Sequence, residues 1–85
     1  MKAKIYDRIV LLVDIQLRNV VVPRGTEATI VGVYTDPIEG YDADADIPAP
    51  ELVGGKTWKN ITVHPDQFEV IAPSPSSQAT DNQAQ

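Results

Sequence analysis

The chain contains no cysteine, which removes disulfides, thiolate nucleophiles, Cys-type zinc sites and iron–sulfur ligation together. It has a single histidine, and its serines are confined to Ser74, Ser76 and Ser77 near the end. A Ser-His-Asp constellation would therefore be centred on a residue of the C-terminal tail, whereas such chemistry needs a nucleophile held rigidly beside its base. The chain reads as a non-enzyme, with no cofactor called for. Long apolar runs are also missing: Ile9 to Val13 ends after five residues at Asp14. A secretory core needs roughly 7 to 15 apolar residues and a spanning helix about 20, so no membrane span is expected and the cytoplasm is the default location. Bases are few, seven Lys and Arg against twelve acids for a net charge of -5. That balance disfavours a nucleic-acid role, because phosphate binding draws most of its affinity from clustered bases.

What is present suffices for one folded domain. Hydrophobic residues make up 42% of the 85 and charged residues 22%, a globular balance rather than a disordered one. Arg8 to Val13 is short, branched and bounded by Asp7 and Asp14, which reads as a buried strand. Ile15 to Val22 is interrupted by Gln16, Arg18 and Asn19 and reads as a connecting loop closed by the Pro23-Arg24-Gly25 turn. Thr26 to Tyr34 is the plainest strand, with Gly32 placed to mark a bulge or bend. Tyr41 to Ile47 alternates apolar and acidic residues with period two, the pattern of a half-buried strand. Thr57 to Val63 and Phe68 to Ile71 complete the set, separated by a His64-Pro65-Asp66-Gln67 corner that Asp66 is expected to cap.

Five short strands with Gly/Pro turns and no amphipathic helix predict an all-β domain over residues 1–72, a small, partly open antiparallel barrel. Residues 73–85 lack any large apolar side chain, so nothing in them offsets the entropy of ordering, and a disordered Pro/Ser/Gln-rich tail is expected. The series Tyr6 to Leu11, Pro23-Arg24-Gly25-Thr26-Glu27-Ala28-Thr29-Ile30-Val31-Gly32-Val33-Tyr34 and Ile61 to Ile71 resembles a bacterial family catalogued as domain of unknown function 4926. The resemblance implies a small SH3-like barrel and lends no activity. Ala28 stands where that family carries a second glycine, and its third strand lacks the acids found here.

Those acids are the chemistry most worth following. Asp42, Asp44 and Asp46 occupy alternate positions of one strand, so their carboxylates share a face about 7 Å apart. Asp-x-Asp-x-Asp also opens a calcium loop, but the sixth and twelfth positions, which should be Gly and a bidentate acid, are Ile47 and Val53. Two readings remain: Ala43, Ala45 and Ile47 face the core while the acids are merely solvated, or the acids steer a basic partner. Six acids and no base lie between Asp36 and Glu51, which favours a negative field on one side. Trp58, Asn60 and Thr62 fall opposite the core positions Ile61 and Val63. The indole is then either covered by the Ile47 to Leu52 loop or left exposed as a binding anchor. The expected partner-binding set is Glu39, Tyr41, Asp42, Asp44, Asp46 and Trp58, on a protein module of antitoxin, immunity or regulatory type. The alternative is an accessory subunit of a ribosomal, photosynthetic or redox complex.

Overall fold

The computed structural model describes residues 1–74. Its strands are β1 (Arg8–Leu11), β2 (Ile15–Gln16), β3 (Val21–Val22), β4 (Glu27–Tyr34), β5 (Gly40–Pro48), β6 (Lys56–Val63) and β7 (Phe68–Ala72), with one 3-10 turn, Pro65–Gln67, before β7. Five of them form an antiparallel sheet in the order β6-β5-β4-β1-β7. β1 and β4 are rich in β-branched residues, and β1, β4 and β5 alternate in burial along most of their length, because successive side chains of a strand point to opposite faces. Ile9, Leu11, Ala28, Ile30, Tyr41, Ala43, Ala45, Ile61, Val63 and Phe68 turn inward to make the core.

The sheet curls on itself. β5 and β7 are separated by two strands, yet the Tyr41 and Phe68 rings meet edge-to-face with centroids 5.3 Å apart. Its rims β6 and β7 do not pair, so the all-β, five-stranded, partly open architecture expected from the strand pattern is the one found. A register shift between Ile30 and Gly32 sets the bulge where glycine marked it. Asp42 lies so close there that a Cβ on Gly32 would stand 3.3 Å from the Asp42 Cβ. Gly25 takes φ 91° in the turn that returns the chain to β4, a conformation only glycine adopts freely.

Three details differ from the sequence reading. Ile15 to Val22 is not a plain loop: Ile15 pairs with Val22 and Gln16 with Val21 in a small ladder, which lets Ile15 and Val22 drop into the core. The His64 corner is held by Gln67 rather than Asp66, its side-chain oxygen accepting the His64 amide at 2.8 Å and its own amide donating to the His64 carbonyl at 3.0 Å. Of the segment expected to be tail, Ser74 is 1% exposed and its amide donates to the buried Asp7 carboxylate at 2.6 Å. Residues 75–85, where the remainder of that expectation falls, lie outside the described residues. Among the described residues no helix is long and apolar enough to cross a membrane.

Candidate functional face

The strand alternation that sends Tyr41, Ala43 and Ala45 inward sends Asp42, Asp44 and Asp46 outward, each half-buried. Antiparallel register then pairs them one by one with β6: Asp42 with Thr62, Asp44 with Asn60, Asp46 with Trp58. On the other side Asp42 lies against Gly32 and Asp44 against Thr29 of β4. The outer face of β4, β5 and β6 is thus a polar surface with an acid row down its middle and one indole at its end.

The acids are not simply solvated. Asp42 accepts hydrogen bonds from the Tyr34 and Thr62 hydroxyls, and Asp44 accepts from the Asn60 amide at 3.1 Å. Asp46 differs, because cations reach it from both sides: Arg8 Nη2 at 2.9 Å and Lys56 Nζ at 3.7 Å. Arg8 also binds Glu27 at 2.9 Å and the Thr29 hydroxyl at 2.8 Å, so one guanidinium ties β1, β4 and β5 together. The hydrogen bond from Arg8 holds the Asp46 carboxyl below the usual carboxylate range, and the same bond raises the already high pKa of Arg8. The Tyr34 phenol is pushed up because it donates to the Asp42 carboxylate.

Charge on this face is therefore uneven. Asp46 is neutralised, while among the described residues Asp42 and Asp44 meet only neutral donors and keep acceptor positions in hand. Beside them Trp58 is 67% exposed. The Ile47 to Leu52 segment therefore does not cover the indole.

Two members of the expected set lie elsewhere. Tyr41 is fully buried, its hydroxyl accepting the Lys2 amide at 3.0 Å and the Ala3 amide at 3.2 Å and donating to Glu39. Burial first, and then the Glu39 bond, pushes the Tyr41 phenol up, and the phenol's hydrogen bond is the leading reason that the Glu39 carboxyl is held down. Glu39 also accepts the Lys2 amide at 2.9 Å, so Glu39 and Tyr41 form a clasp on the N-terminal segment. Conversely, Arg8 and Tyr34 belong to the face although the sequence reading passed over them; their contacts depend on strand register, which side-chain pattern alone does not reveal. Among the described residues no three potential metal ligands converge, the three aspartates being turned to separate cross-strand partners. Nor do those residues enclose a pocket, so a ligand of this face would meet an open surface. Compared with known proteins, the chain matches no family model, no curated protein and no solved structure.

Proposed function

We propose that the chain is a small non-enzymatic protein-binding module of antitoxin, immunity or regulatory type, which docks through the outer face of β4, β5 and β6 onto a basic cytoplasmic protein. The observation that carries the reading is the juxtaposition of an exposed Trp58 with two aspartates, Asp42 and Asp44, that no cation among the described residues neutralises. A large apolar ring left in water on a polar face is the usual anchor of a protein contact, and acids beside it supply steering and register. Asp46, ion-paired within the chain, frames the face rather than offering charge to a partner. The resemblance to the 4926 family rests on its motifs and adds no activity to this reading.

The test is affinity capture from an extract of the source cell at about 50 and 300 mM salt, using the native chain, Trp58→Ala and the double variant Asp42→Asn/Asp44→Asn. The expected result is a basic protein retained by the native chain at low salt and lost from both variants. Identical retention by all three would overturn the assignment.

A further inference from the structure

β6 is a rim of the sheet. Among the described residues it pairs with β5 alone, and Lys56, Trp58, Lys59 and Asn60 are exposed along it. A rim strand presents amide and carbonyl groups that an incoming strand can pair with, and strand addition of this kind is a recurring mode of peptide recognition. The outer side chains of β6 next to the acid row are short, Asn60 and Thr62. A strand added beyond β6 would lie about 10 Å from β5, two strand spacings away, and its long basic side chains would look across Asn60 and Thr62 at Asp44 and Asp42. At the end of the row the planar guanidinium of an arginine has the Trp58 indole to stack on.

Resting on the docking function proposed above, we infer that β6 takes an added strand from the basic partner. That strand carries Arg or Lys at the alternate positions facing outward and uncharged residues at the positions between. The alternation follows from Lys59, which lies at an inner-parity position across from Ala45 and repels a cation set beside it. A second copy of the chain is the poorer occupant. Lys56-Thr57-Trp58-Lys59-Asn60-Ile61-Thr62-Val63 holds two lysines and no acid, so a β6 to β6 ladder would bring like charges together.

The experiment titrates the isotope-labelled full chain with an eight-residue peptide of alternating Arg and Val, blocked at both ends. Two further versions are used, one N-methylated at every Arg and one at every Val. In a strand, residues sharing a face also share the direction of their amides, so only one of the two methylated sets can pair with β6. The expected result is that the parent peptide shifts and protects the amides of Lys56 to Val63, one methylated version loses about ten-fold or more in affinity, and the other binds like the parent. Both methylated peptides binding like the parent, or both failing, would overturn strand addition and leave the basic-docking face standing. A parent peptide that does not bind, or that binds Asp42→Asn/Asp44→Asn equally well, would overturn both.

Discussion

Two segments of the chain meet at the Tyr41 hydroxyl, which takes the Lys2 and Ala3 amides and gives its proton to Glu39. Tyr41→Phe keeps the ring against Phe68 and removes only these bonds. The expected cost is about 1 to 2 kcal/mol, read from urea unfolding near neutral pH, because the buried Ala3 amide loses this acceptor and the Lys2 amide keeps Glu39. The sign with pH is fixed by the raised phenol pKa. A raised value means the protonated form is favoured by folding, so the contribution is whole below the ordinary tyrosine pKa of about 10 and disappears as pH rises through the folded value. The gap between native and Tyr41→Phe chains should accordingly narrow in strong base. Trp58→Ala makes the contrast: with the ring in water, stability should change by no more than about 0.5 kcal/mol. A thermal-shift loss of several degrees would mean the indole is packed after all. The acid row was legible in the sequence because period-two spacing is sufficient to place Asp42, Asp44 and Asp46 on one face. The same spacing puts Tyr41 with Ala43 and Ala45 on the other, so its inclusion among surface contacts contradicted the alternation that identified the row.

Between strands, the decisive contact is Arg8, which crosses from β1 over β4 to Asp46 on β5. Arg8→Gln should destabilise the sheet by about 1 to 2 kcal/mol, since a charge-assisted bond is lost and Asp46 keeps only Lys56 at 3.7 Å. Asp46 has its pKa lowered by folding, so its contribution is present above the unfolded carboxylate value of about 4 and lost as pH falls through the folded one. Urea midpoints compared at about pH 6 and pH 2 should thus show the Arg8→Gln deficit shrinking in acid. A second joint holds the N-terminal segment to the residues after β7: the buried Asp7 carboxylate accepts the Lys4 amide at 3.0 Å and the Ser74 amide at 2.6 Å. Asp7→Ala leaves both amides without that acceptor, at an expected cost of about 2 to 3 kcal/mol, and hydrogen exchange at Lys4 and Ser74 should speed up before that of β4 and β5. At this scale the sequence was informative wherever a run was long enough to show its period. The four main strands from β4 onward and β1 were legible from branched residues and turn signals. The two-residue ladder of β2 and β3 was not, because two positions display no period, and the docking of Ser74 depends on a carboxylate 67 residues away in the chain.

For the molecule as a whole, the net charge of -5 and the one-sided acid run separate two quantities that affinity alone would merge. Exposed charges act at long range, before contact, and are screened over about 8 to 10 Å at physiological salt. A desolvated ring acts only after contact is made. If the outer face docks as proposed, removing Asp42 and Asp44 as charges should lower the association rate of the Arg/Val peptide severalfold in dilute buffer and flatten its dependence on salt, with dissociation little altered. Removing the Trp58 ring should do the reverse, leaving association unchanged and speeding dissociation. Asp66→Asn offers the internal control, since it removes one negative charge from the Pro65–Gln67 corner and none from the β4, β5 and β6 face; its association rate should stay closer to native. Stopped-flow mixing at several salt concentrations measures all three. A chain whose association rate responded equally to each aspartate would be steered by net charge alone, and the acid row would then have no part in choosing where a partner lands.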